Sequence, residues 1–154
     1  MIKKLIRQVS GLGTAFFCLI LILFTYLSKQ EQLSVKLLFM FLGATLIGEG
    51  IKLFYKKRRP DFDPKERYNY IWPINKLIEV DERSFPSLHS ARAAGLLVIL
   101  GVYFQIFYLQ LFLGLLALGV AASRVYLKRH YIEDVAAGFI FGLLVSGMVL
   151  YLTF

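Results

Sequence analysis

The sequence predicts an all-α, polytopic membrane helix bundle of about five transmembrane helices. Three observations carry that prediction. Hydrophobic residues make up 58% of the chain and the mean hydropathy is +0.64, too apolar for a soluble protein of 154 residues. Apolar runs long enough to cross a bilayer, about 17 residues or more, lie at roughly 11–27, 33–55, 88–104, 106–122 and 135–154. The single long polar segment, 56–87, holds all four prolines and separates the second run from the third. The length suits one transmembrane domain, 1–154, built from those spans.

The first span follows Lys3, Lys4 and Arg7, which imitates a signal peptide. No small-x-small cleavage site follows it at Tyr26-Leu27-Ser28-Lys29, so a retained helix is expected. In the first span Gly11, Gly13 and Ala15 are small enough to permit close helix packing, and the second carries Gly43, Ala44, Gly48 and Gly50. Near its far end Glu49 and Lys52 stand three apart. Ionisable groups inside a membrane are costly and so are functional candidates, although this pair can equally neutralise itself, or Lys52 can snorkel to the interface.

Within 56–87, Tyr68, Tyr70 and Trp72 are spaced like aromatics at a membrane interface. Residues 71–80 fit a short helix lying on the bilayer. The third span opens with Ser84-Phe85-Pro86-Ser87-Leu88-His89-Ser90, where serine and proline suit a helix start. Such an N-terminus presents free N–H groups that favour phosphate. Spans three and four form a hairpin around 104–108, and the fifth is glycine-rich.

The net charge is +8. Its cations border apolar spans, so anionic lipid headgroups are the expected partner rather than nucleic acid. Cys18 is the only cysteine, which excludes an internal disulfide. Lys and Arg cluster on one side: three before the first span, eight in 56–87 and three in 123–134, against Lys29 and Lys36 opposite. The positive-inside rule places that basic side in the cytoplasm.

Chemistry concentrates between Ser123 and Asp134. The stretch holds a hydroxyl, Arg124, His130 and, four positions on, Asp134. In a helix that spacing puts carboxylate and imidazole on one face, where the carboxylate can fix the tautomer as a triad's third member does. Arg124 offers a planar fork suited to phosphate oxygens. The plainer reading of this stretch alone is a basic loop with a histidine in it. Span parity then brings Lys52, Arg59, Ser87, His89, Arg124, His130 and Asp134 to the same membrane face. Cations, a hydroxyl and a helix N-terminus converging there make a phosphate pocket. Two histidines suit a two-step phosphoryl transfer, one attacking phosphorus and one protonating the departing oxygen.

Lys52, six residues, Arg59-Pro60; Pro86-Ser87-x-His89; Ser123-Arg124, five residues, His130, three residues, Asp134: in order and spacing this resembles the three-part signature of the type 2 phosphatidic acid phosphatase superfamily, over residues 52–134. The resemblance implies that His130 is the nucleophile forming a phosphohistidine and that Asp134 orients it. His89 is then the general acid toward the leaving group and afterwards the base for water. Lys52, Arg59, Ser87 and Arg124 bind the phosphoryl oxygens. It implies no metal and no cofactor. Where the family usually has glycine this chain has Leu88, harmless if the helix has already begun there. Pro-Ser-Leu-His also resembles the branch that transfers phospho-headgroups between lipids. Outside the signature, Arg92 shares a face with His89 and is read as reaching a second phosphate or anionic headgroup, or else as a snorkelling or helix-pairing arginine. Glu49 is read as holding Lys52.

The expected function is hydrolysis of a membrane lipid phosphate or diphosphate. By resemblance the candidates are phosphatidic acid, phosphatidylglycerol phosphate, polyprenyl diphosphate and the 1-phosphate of lipid A. The alternatives are a phosphotransferase to an alcohol acceptor and a non-catalytic membrane scaffold. The expected location is the cell membrane, multi-pass. Most bacterial relatives place this site on the outer face, against the charge count, so sidedness stays open.

Overall fold

The computed structural model describes residues 2–61 and 83–153. Six helices lie among them: α1 (Ile2–Gly11), α2 (Ala15–Leu27), α3 (Glu31–Phe54), α4 (Leu88–Phe104), α5 (Phe107–Tyr126) and α6 (Ile132–Leu152). The interfacial helix expected at 71–80 falls outside the described residues.

The segment 11–27 is a correction to the expected single span. α1 and α2 meet at a bend of 51°. Thr14 explains the break: its Oγ1 accepts from the Phe17 N–H at 3.2 Å and donates to the Gly11 carbonyl at 2.7 Å. One hydroxyl thus starts the second helix and satisfies the end of the first. α2 alone rises only about 20 Å, short of the ~30 Å hydrocarbon core. Together the bent pair has the length and composition of one crossing. α1 is amphipathic, with Val9, and Leu12 just past its end, packed on Ala93, Ala117 and Val120 and with Lys4 and Arg7 exposed.

α3, α5 and α6 are each long and apolar enough to cross a membrane, and their ends fall within about one helical turn of the expected spans. α4 is shorter, at 17 residues. It sits at the centre, packed against α3, α5 and α6, and residues 90–96 are buried on every side. Small residues make that position possible. A Cβ on Gly138 would collide with the Ser87 backbone carbonyl, and one on Gly142 with that of Ala91. α6 therefore lies directly on the main chain of α4, the close contact that small residues permit.

The apolar core joins Leu33, Leu37 and Met40 of α3 to Leu96 and Ile99 of α4. The outer surface is also apolar: Phe24, Leu46, Leu115, Leu144 and Met148, on four helices, are exposed. A surface of that kind belongs in lipid rather than water, and the chain is a multi-pass membrane protein.

Candidate active site

Three segments meet at one end of the bundle: the chain leaving α3, the residues entering α4 and the α5–α6 loop. Backbone hydrogen bonds stitch them together. Arg58 and Arg83 form an antiparallel bridge. Ser84 N–H donates to the Lys57 carbonyl at 2.8 Å, and Ser87 N–H to the Asp134 carbonyl at 2.9 Å. Arg83 Nη1 donates to the Lys52 carbonyl at 2.6 Å. The Phe85–Pro86 peptide is cis. Ser84, Ser87 and Asp134 have no exposed surface.

The loop after α5 turns back sharply at Lys128, which takes a left-handed φ of 57°. The turn lets both Arg129 and His130 donate N–H to the Arg124 carbonyl, at 3.0 and 3.3 Å. His130 is left 3% exposed, with Nδ1 placed 2.7 Å from the Ser84 carbonyl oxygen. A carbonyl can only accept, so Nδ1 carries the proton and Nε2 keeps its lone pair. Burial pushes the His130 pKa down from 6.5 to about 3, helped by the charges of Arg124 and Arg59 and opposed by the Ser84 carbonyl and Asp134. The imidazole is neutral at ordinary pH.

Asp134 is not the group that holds His130 Nδ1, contrary to the expectation from spacing. Its Oδ2 lies 4.0 Å from that atom and instead accepts the Tyr131 N–H at 3.0 Å, while Oδ1 accepts Lys57 Nζ at 2.6 Å. The reason is local. α6 starts at Ile132 with Tyr131 as its cap, so His130 lies before the helix and the one-face spacing does not apply. Asp134 is the capping-box carboxylate. Its charge still acts on His130 at that range.

Lys57 is a residue that sequence reasoning missed. Its Nζ bonds Asp134 and Glu133 and sits 4.3 Å above the Tyr131 ring. Burial works against its charge, and the two carboxylates outweigh burial, so its pKa is raised. Ser84 was missed too, since it serves through a main-chain carbonyl that every residue possesses.

The other expected ligands converge on the same end. Arg124, in the last turn of α5, is buried. Ser87 precedes α4, its Oγ accepting from Ser90 Oγ at 3.1 Å. His89, in the first turn of α4, lines a cavity of about 940 Å³ with Arg7, Ser10, Thr14, Arg124 and Arg129. Across its rim Arg129 pairs with Asp61 at 3.2 Å. Arg59 lies on the strand-like chain beside the bridge, near enough for its charge to act on His130. Lys52 is buried and pairs with Glu49 at 3.2 Å. Among the described residues no group of three or more His, Cys, Asp or Glu is placed to hold a metal ion.

Two further expectations resolve differently. Arg92 turns away from the cavity lining: its Nη2 donates to Thr45 Oγ1 at 3.2 Å and its guanidinium lies 5.5 Å from the Phe41 ring centre. The helix-pairing reading describes its position. Leu88 is the first residue of α4, with no left-handed dihedral. Its side chain fills the space over Gly48, where a Cβ would strike Leu88 Cδ2.

A sequence model of the PAP2 superfamily matches residues 33–154, which include every signature position. The chain is 27% identical over 162 residues to phosphatidylglycerophosphatase B of Bacillus subtilis strain 168, covering 96% of this chain and 73% of that one. The crystal structure of the first transmembrane PAP2-type phosphatidylglycerolphosphate phosphatase from Bacillus subtilis superposes with a TM-score of 0.76 at 26% identity, over 98% of this chain and 76% of the other. That of Aquifex aeolicus LpxE reaches 0.78 at 22% identity, over 97% and 86%, a likeness of fold. On that match and on the bundle that carries it, the chain belongs to the PAP2 superfamily.

Proposed function

We propose that the protein hydrolyses a phosphate monoester or diphosphate on a membrane lipid through a phosphohistidine on His130. One observation carries the reading most: the Ser84 carbonyl bonds His130 Nδ1 at 2.7 Å, which leaves Nε2 as the nucleophilic atom. Nε2 attacks phosphorus and the bond to the lipid oxygen breaks, with His89 delivering a proton to that oxygen. His89, now neutral, takes a proton from water, the hydroxyl attacks the phosphohistidine, and the P–N bond breaks to free His130. The negative charge of the bound phosphate favours protonated His89 among its cationic neighbours.

Arg124, Arg59, Lys52 and the N–H groups at the start of α4 stabilise charge on the phosphoryl oxygens. No step calls on a metal. Phosphatidylglycerol phosphate is the first substrate to try, because the similar Bacillus subtilis proteins carry that activity in their names. The cell membrane is the proposed location and 1–154 the phosphatase unit.

The test is phosphate release by the purified protein in detergent with EDTA, from phosphatidylglycerol phosphate, phosphatidic acid, polyprenyl diphosphate and lipid A 1-phosphate. Release that persists in chelator and is lost in His130→Ala supports the reading. Release abolished by EDTA removes metal independence. Release only when an alcohol acceptor is supplied, with the phosphoryl group recovered on that alcohol, assigns the chain to transfer instead.

A further inference from the structure

We infer that the α1–α2 bend forms part of the active site, with Ser10 a positioning residue for the Arg124 guanidinium. The inference rests on the reading of Arg124 as a phosphate ligand. The family match begins at residue 33, so α1 and its bend lie outside the matched segment and no signature residue comes from them. Yet Arg124 Nη1 donates to Ser10 Oγ at 2.7 Å, a buried bond across 114 positions of sequence.

Two further observations tie the bend to the site. A Cβ on Gly13 would stand 2.7 Å from the His89 carbonyl oxygen and 3.0 Å from His89 Cβ, so the bend backbone rests against the residue proposed as general acid. Ser10, Thr14, His89 and Arg124 also line one cavity. The bend is itself locked, because Thr14 bonds both Gly11 and Phe17.

The physical consequence follows from the shape of guanidinium. Its donors lie in one plane, so a bond at one terminal nitrogen sets the orientation of the whole fork. Ser10 thereby fixes the plane that Arg124 offers to a phosphoryl group before substrate arrives. A lysine at 124 has no such plane, and Ser10 has nothing to orient there. Ser10 and Arg124 must therefore act as a unit.

The experiment is a double-mutant cycle on lipid phosphate hydrolysis, measured as kcat and KM in detergent. Ser10→Ala is expected to lower kcat/KM by about tenfold to a hundredfold, the range for a hydrogen bond to a charged group. Ser10→Thr, which keeps the hydroxyl, recovers most of it. In an Arg124→Lys background Ser10→Ala lowers it less than about twofold. Ser34→Ala is the control for a lost hydroxyl between helices: Ser34 Oγ bonds the Ile22 carbonyl at 3.0 Å between α3 and α2. Its activity stays at the wild-type level while the thermal midpoint reports any loss of packing.

Wild-type activity in Ser10→Ala, or an equal loss in both backgrounds, overturns the inference. Should Ser10→Ala not fold, Ser10→Cys carries the same cycle with a weaker acceptor. If Arg124→Lys alone retains wild-type activity, the phosphate-ligand reading fails, whatever Ser10 does.

Discussion

Lys57 Nζ lies 2.6 Å from Asp134 Oδ1 and joins two residues 77 positions apart. The bond closes a ring of contacts. The Lys57 carbonyl accepts from Ser84 N–H, the Ser84 carbonyl accepts from His130 Nδ1, and His130 leads into the helix that Asp134 caps. One lysine therefore links the chain leaving α3 to both neighbours of the proposed nucleophile.

Removing that cation leaves a fully buried carboxylate without its ion partner, a strongly destabilising change. Lys57→Met is expected to lower kcat by at least about tenfold and to reduce the thermal midpoint. Lys57→Arg restores part of both. Steady-state kinetics and thermal melts of the two variants check it, and full activity in Lys57→Met would show that the ring is dispensable.

The depressed pKa of His130, about 3 against 6.5, makes a prediction with a definite sign. Between those values the unfolded chain binds a proton at this site and the folded one does not. The contribution of His130 to stability is therefore present above pH 6.5 and lost progressively as pH falls toward 3. Nuclear magnetic resonance of 13C-labelled histidine is expected to show no titration of His130 across roughly pH 5 to 8. Arg124→Ala, by removing a cation, moves its titration upward. A His130 signal that titrates near 6.5 in the intact protein contradicts the burial and charge described.

Glycines on α6 offer a contrast within one helix. A methyl at Gly138 meets the Ser87 main chain, whereas Gly147 has nothing within 4 Å of the same position. Gly138→Ala is expected to shift Ser87, with an overpacking cost of about 1–3 kcal/mol, and to lose most activity. Gly147→Ala leaves activity within about twofold. Phosphate release and thermal midpoints for the pair decide the matter.

Leu88 is buried over Gly48, so it serves packing between α3 and α4. Leu88→Gly, which restores the usual family residue, leaves a void and is expected to destabilise by at least about 2–5 kcal/mol with no gain in turnover. A gain in turnover would mean that leucine alters the phosphate pocket.

Much of this was legible from residues alone. Hydropathy placed α3 to α6, and span parity brought three distant motifs to one face, because alternation across a bilayer leaves few arrangements. What stayed hidden has physical causes. Ser84 acts through its backbone. Lys57 stands in a run of four basic residues, 56–59, and nothing in residue type separates it from its neighbours. The break at 12–14 was invisible because glycine is common in membrane helices, and the hydroxyl of Thr14 decides it. Arg92 shares a face with His89 by spacing, but spacing cannot say that a long side chain crosses to Thr45 on α3.

The most direct measurement is capture of the intermediate. Protein mixed with a 32P-labelled lipid phosphate and quenched in alkali within a turnover is expected to retain label that is stable in base and released by acid, as a phosphohistidine is. The label should map to the peptide containing His130 and be absent from His130→Ala. Label that persists in His130→Ala, or turnover by the wild-type protein with no covalent label at any time, would contradict His130 as the nucleophile.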